Sequence, residues 1–277
     1  MIIVDTHTHA GANWFEPVEM LVHQMHLNDV DKAVLIQHGR PEHGHYDHTY
    51  LFECLERFPG RFAVVVIVDL SALDSLGMLE RHRENGAIGV RLTPSTRSPG
   101  NDPLAIWRKV DELGMLVSCM GSVNEFASDK FAVIVKEFPN MPIIIEHLAG
   151  GGQSASFPGN GEGPEPPYTS FKKAMELSRF PNTYIKIHGL GEILNRPSAL
   201  QKDFDHDFFG PLPPLVEMAK EGFGVRRMMW GSDYPPVSGR EGYRNALAGA
   251  RDHPAFDTLE EIEWVLGKTA LEVIEFA

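Results

Sequence analysis

Asp5-Thr6-His7-Thr8-His9 puts two imidazoles two positions apart in a β-branched run. Side chains alternate along a strand, so His7 and His9 share one face. Two neutral imidazoles on one face can ligate zinc or a similar divalent cation, or hold one substrate. Trp230-Gly231-Ser232-Asp233-Tyr234-Pro235 offers a carboxylate much later in the chain. Beside histidines, an Asp can ligate a metal or take a proton from water, although a helix N-cap is the plainer use. Gly231 and Pro235 favour a tight turn around it. Glu146-His147-Leu148-Ala149-Gly150-Gly151 places a further histidine after an apolar run, as a site residue or a satisfied core histidine. His188, in Ile187-His188-Gly189, could bind substrate, act as an acid or ligate metal. Arg91, in Gly89-Val90-Arg91-Leu92, suits bidentate binding of a carboxylate, with a buried ion pair as the alternative. His38 follows another apolar run. His43, His45 and His48 come next, as a secondary metal site or as mobile, solvated side chains.

These residues sit at the ends of short apolar runs that alternate with amphipathic segments, the pattern of a parallel sheet with crossover helices. Strands are expected at Ile2–His9, Ala33–Gln37, Phe62–Val68, Ile88–Leu92, Met115–Cys119, Ile143–His147, Thr183–Ile187 and Arg227–Gly231. Several are almost wholly apolar, as strands buried on both faces are. Eight such strands predict an α/β fold, a distorted (β/α)8 TIM barrel, with the first and eighth strands as neighbours. Helices are expected from Glu16-Pro17 to Leu27, with Met20, Leu21 and Met25 on one face. Others should run from an Asp102 cap through Leu113, from a Ser128 cap to Phe138, and over 259–276 behind a Thr258/Glu261 capping box. The Gly/Pro-rich stretch 150–167 follows the sixth strand and reads as a functional lid, or else as a disordered insertion.

The 277 residues are close to the roughly 250 typical of such a barrel, and with no linker or shift in composition, residues 1–277 read as one domain. A formal net charge of −13 without a basic run argues against nucleic acid. The longest apolar runs, 63–68 and 141–145, are too short to span a bilayer, so no membrane partner is expected. Cys54 and Cys119 are too few for a disulfide framework, and the chain shows no leader-like start. A soluble, cytoplasmic protein acting on a small molecule is the expectation, with assembly into a homo-oligomer left open.

VDTHTH at 4–9, GVRL at 89–92, IIEHLAGG at 144–151, YIKIHG at 184–189 and WGSDYP at 230–235 together resemble the amidohydrolase superfamily, in its amidohydrolase-related branch. They occur in family order across essentially the whole chain. The resemblance implies a metallo-dependent-hydrolase barrel and carries the metal-ligand roles to His7, His9 and Asp233, with His147 or His188 as a further ligand to one zinc or manganese ion. Metal-dependent decarboxylases of the branch have a ligand histidine near the position of Cys119, where this chain has none, and use the residue matching His147 for proton transfer. The lactonase side, similar to 2-pyrone-4,6-dicarboxylate lactonase, shares that absence, and some of its members work without a metal.

The reading that follows is a hydrolase opening a lactone or related cyclic ester of a small carboxylated or hydroxylated metabolite. Asp233, His147 and His188 would be catalytic, and Arg91, His38 and Tyr234 would bind substrate. The alternatives are a metal-dependent decarboxylase or hydratase of aromatic-catabolic acids and a metabolite-binding barrel without catalysis.

Overall fold

The computed structural model describes residues 1–11, 16–38, 46–151, 166–188 and 213–276. Eight parallel strands run in sequence order: β1 (Val4–Thr8), β2 (Lys32–Ile36), β3 (Phe62–Val66), β4 (Ala87–Leu92), β5 (Leu116–Cys119), β6 (Ile143–Ile145), β7 (Thr183–Ile187) and β8 (Met228–Trp230). Each expected strand is present: the seventh has its expected bounds, the second is shifted by one residue, the fourth is one residue longer, and the others are shorter at their ends. The barrel closes just beyond β8, through a parallel bridge between Thr8 and Tyr234.

Alternation sorts every strand into an inner and an outer row. Outward residues such as Val64, Val117, Ile143 and Ile185 pack into the large core shared with the helices. Inward residues at the lower end, among them Val34, Val65, Leu116, Ile144 and Met229, form a second apolar cluster. Ala270 and Ile274 from the C-terminal segment join that cluster and stopper the barrel floor. Above it the same inward rows carry polar side chains: Ser118 follows Leu116, Glu146 follows Ile144, and Lys186 precedes His188. A two-residue repeat therefore separates a greasy floor from a charged upper half.

Helix ends follow local chemistry, with some departures from expectation. Ser128 caps Asp129–Glu137 by accepting from the Phe131 N–H. Ser122 and Glu125 form a full capping box on Val123–Phe126, a helix not expected from the sequence. Asp102 does not cap its helix: it accepts from the Leu104 N–H in a preceding turn, and the helix begins at Ala105. In Val18–Leu27 the buried face is Val18, Leu21 and Met25, whereas Met20 is exposed. Thr258 caps the last helical segment, and Glu261 reaches back to accept from the Asp257 N–H at 2.7 Å. That segment is broken by a π turn at Trp264–Lys268. The widened turn presses Gly267 against Ile2, where a Cβ would lie 2.0 Å from the Ile2 carbonyl oxygen.

Cys54 and Cys119 are both buried free thiols. Among the described residues no helix is long and apolar enough to cross a membrane. The stretch 150–167 falls mainly outside the described residues, as do His43, His45 and nearly all of 189–213.

The strands meet closely at the β1–β8 seam. A Cβ at Gly231 would lie 2.7 Å from the His7 Cβ and 3.0 Å from its backbone nitrogen. Gly231→Ala is therefore expected to destabilise the protein by about 1–3 kcal/mol, measured by urea denaturation. Asp5 ties the same seam, accepting from the His7 N–H (3.2 Å) and the Ser232 N–H (2.8 Å). Burial raises its carboxyl from 3.8 to about 6, against the pull of the Ser232 hydrogen bonds. The folded state thus holds this proton more tightly than the unfolded chain, and the stability so conferred is lost as pH rises from 3.8 through 6. Relative to Asp5→Asn, the wild type should lose about 3 kcal/mol across that window. Parallel stability curves for the two proteins between pH 4 and 7 would refute this.

Candidate active site

His7 and His9 do share one face, and the chain beyond β8 brings Asp233 to them. The Asp233 N–H donates to the His7 carbonyl (2.9 Å), and the His9 N–H donates to the Tyr234 carbonyl (2.7 Å). Asp233 itself sits at φ +58°, a left-handed conformation that turns its carboxylate inward. Its Oδ1 lies 3.4 Å from His9 Nε2 and 3.7 Å from His7 Nε2. Its Oδ2 accepts from Arg240 Nη1 at 3.0 Å. The buried Arg240 is flanked in turn by Glu241 at 3.6 Å. One carboxylate oxygen is thus committed to a guanidinium while the other faces two imidazoles.

His147 and His188 complete the histidine layer. Their rings stack in parallel, 3.7 Å apart at 11°, and each lies 5.0 Å from the His7 ring. His147, Leu148, Ala149 and Gly150 all have positive φ, between 46° and 67°, so the chain leaves β6 in a single left-handed turn. Each non-glycine residue there costs about 1–2 kcal/mol. Gly150 is required at its place, because a Cβ would sit 2.3 Å from the Gly121 carbonyl oxygen. His38 stands at the edge of the layer, 5.5 Å from the His9 ring.

Beneath the histidines lies a charged layer. The fully buried Glu146 accepts from Arg91 Nε (3.1 Å) and Nη2 (2.7 Å) on Oε2, and from Ser118 Oγ (2.6 Å) on Oε1. Lys186 Nζ donates to the same Ser118 Oγ at 3.0 Å. Burial alone would push the Glu146 carboxyl up, but Arg91 and then Lys186 and His147 hold it well below the carboxylate range. Burial lowers Lys186 to about 8, with Glu146 opposing. Burial, then Lys186 and the other histidines, drives His7 well down, and burial and His147 do the same to His188. Both imidazoles are neutral at pH 7.

Several expectations change. Arg91 takes its alternative role, a buried ion pair with Glu146. The Tyr234 side chain is buried, its hydroxyl donates to Glu16, and burial pushes the phenol up, so it braces the loop after β8 and does not face a substrate. His48 is no solvated ligand: it is buried and accepts from the Ile67 N–H through Nε2 at 3.1 Å. On β5, Cys119 points into the outer core, and burial drives its thiol well up, while Ser118 is the residue facing the site. Glu146, Ser118, Lys186 and Arg240 had been given no role in the sequence. A charge inside an apolar strand run, as in Ile185-Lys186-Ile187 and Ile144-Ile145-Glu146, is the signal that marks two of them.

The donor set fits a divalent cation. His7, His9 and Asp233 form one group, and His7, His147 and His188 another, each with ligand atoms within 4.8 Å of one another. Tetrahedral zinc with ligands at 2.0–2.1 Å separates them by roughly 3.4 Å, close to the 3.4 and 3.7 Å seen around Asp233 Oδ1. His9 Nδ1 lies 2.8 Å from the Ile36 carbonyl. A carbonyl only accepts, so the proton is on Nδ1 and the lone pair of a neutral His9 is on Nε2.

An eight-stranded barrel with a histidine and carboxylate cluster at the C-terminal strand ends defines a TIM-barrel enzyme. Residues 4–276 match the model of the amidohydrolase family. The chain belongs to that family, and its activity is in outline that of an amidohydrolase-family hydrolase. Solved structures share the fold at low identity. A probable 2-pyrone-4,6-dicarboxylic acid hydrolase from Acinetobacter baumannii, with citric acid bound, is 16% identical, covers 99% of each chain and has a TM-score of 0.69. An amidohydrolase from Burkholderia multivorans with bound zinc is 17% identical, with 99% of each chain covered and a TM-score of 0.71. An uncharacterized TIM-barrel protein from Bordetella bronchiseptica is 14% identical over 99% of this chain and 98% of that one, at a TM-score of 0.68. No curated protein sequence matches the chain.

Arg91→Met would strand the Glu146 charge inside the barrel. A loss of about 3–5 kcal/mol is expected, with most of it restored in the Arg91→Met/Glu146→Leu double variant. Thermal unfolding of the three proteins checks this, and a double variant no more stable than Arg91→Met would refute it.

Proposed function

We propose that this amidohydrolase-family enzyme opens a lactone or related cyclic ester of a small carboxylated or hydroxylated molecule, with Asp233 as general base. The observation that carries this reading is the division of labour at Asp233: Arg240 fixes Oδ2, leaving Oδ1 over the histidine layer. Water held at Oδ1 attacks the ring carbonyl carbon and passes its proton to Asp233, while the carbonyl π pair moves onto oxygen. Collapse of the tetrahedral adduct breaks the ring C–O bond, and the departing oxygen takes the proton back from Asp233. His147, the partly exposed member of the stacked pair, is placed to donate to the developing oxyanion. The neutral His7 and His188 serve as lone-pair or N–H partners and not as cations. The names of the A. baumannii and B. multivorans structures support both the lactone class and a zinc site.

A divalent cation bound by His7, His9 and Asp233 would polarise the carbonyl and make its water more acidic. Arg91 is occupied by Glu146, so recognition of a substrate carboxylate falls to other groups at the barrel mouth. His38 lies there, half-buried beside His9.

A metal held by His7, His9 and Asp233, with His147 left for proton transfer, supports a second reading, a metal-dependent decarboxylase or hydratase of aromatic-catabolic acids. A panel of sugar and dicarboxylate lactones, followed by ring opening and by CO2 release, separates the two. The expected outcome is lactone hydrolysis, reduced about 10²- to 10⁴-fold in kcat/KM by Asp233→Asn. Turnover of amides alone, CO2 release without ring opening, or full activity of Asp233→Asn would overturn the lactonase reading.

A further inference from the structure

The protons on His7 have no settled place. Its ring is fully buried, and neither nitrogen has a hydrogen-bond partner among the described residues. A neutral imidazole carries one N–H, and a buried N–H without an acceptor is strongly disfavoured. Two carboxylate oxygens are within reach of a small side-chain movement. Glu146 Oε1 lies 3.9 Å from Nδ1, and Asp233 Oδ1 lies 3.7 Å from Nε2.

The surroundings distinguish the two. Glu146 Oε1 receives one proton, from Ser118, and Arg91 occupies the other oxygen, Oε2, through two N–H groups. Ser118 is in turn pointed by Lys186, so the sequence of donors runs from Lys186 to Ser118 to Glu146 and ends at an oxygen facing His7 Nδ1. This carboxylate is built to stay charged and immobile. Asp233 Oδ1, by contrast, also faces His9 Nε2, whose lone pair is directed there by the Nδ1–H bond to Ile36.

We propose that Glu146 is a positioning residue that accepts a hydrogen bond from the Nδ1–H of His7 and so turns the Nε2 lone pair of His7 toward His9 Nε2 and Asp233 Oδ1. Three lone-pair donors then converge on one point, each held from behind: His7 by Glu146, His9 by the Ile36 carbonyl, Asp233 by Arg240. Carboxylates behind a histidine ligand orient the ring and raise its basicity, and their loss commonly weakens metal binding about 10- to 100-fold. The inference rests on the active-site reading above in taking these three residues as the centre, but it concerns the protein before any substrate is present.

The test uses the metal-free full chain. Long-range 1H–15N NMR of histidine-labelled protein reports which His7 nitrogen is protonated, with His7→Gln identifying the signal. Zinc affinity is then read by competition with a chromogenic chelator in the wild type, Glu146→Gln and the charge-neutral Arg91→Met/Glu146→Leu double variant, which guards against misfolding of Glu146→Gln. Expected are an Nδ1–H tautomer for His7 in the wild type, its loss in the double variant, and zinc affinity weakened about 10- to 100-fold in that variant. A wild-type His7 protonated on Nε2 would overturn the proposal. So would zinc affinities that do not differ between wild type and double variant, including no binding by either. Neither measurement involves turnover, so failure of the lactone panel leaves this result standing, and the reverse is equally true.

Discussion

The β1–β8 seam carries the candidate site because it is made of the backbone of His7, His9 and Asp233 itself. The His7 carbonyl accepts from the Asp233 N–H and the His9 N–H donates to the Tyr234 carbonyl, so barrel closure and assembly of the histidine–carboxylate group are one event. Asp5 and Gly231 serve the same seam from either side: one gathers the loose N–H groups of His7 and Ser232, the other supplies the missing side chain that lets the strands approach. A fault here would open the barrel and scatter the site together.

The seam would hold little without the two layers below it. An apolar floor, sealed by Ala270 and Ile274, keeps water out from beneath. On that floor rest Glu146, Arg91 and Lys186, whose charges are tolerable only because they are paired or hydrogen-bonded, in part through the Ser118 hydroxyl. Burial first, and then Lys186 and the neighbouring histidines, favour the neutral form of His7 and His188, and neutral imidazoles keep the lone pairs that a cation or a substrate proton requires. The left-handed turn at His147–Gly150 adds backbone strain to this arrangement. What it achieves is geometric, laying the His147 ring flat on His188 at the mouth.

Much of this was legible in the chain. Alternating apolar runs and capped amphipathic segments point to a parallel α/β sheet buried on both faces, and eight of them in 277 residues match a closed barrel. The pairing of His7 with His9 follows from the two-residue period of a strand, and the nearness of Asp233 follows from closure. His147 and His188 were likewise readable as strand-end histidines.

The roles of the remaining groups needed three dimensions. Arg91 could bind a substrate or a buried acid, and only the packing of β4 against β5 and β6 brings Glu146 and Ser118 to it. Tyr234 adjoins Asp233 in sequence yet turns to Glu16, because the chain leaves the strand period here through the left-handed backbone of Asp233. Arg240 is seven residues beyond Asp233, on a turn whose path no periodicity dictates. Periodicity is a local property that the sequence by itself determines. Which oxygen of Asp233 meets Arg240 and where Glu146 points depend on contacts between distant segments, and only the tertiary structure decided those.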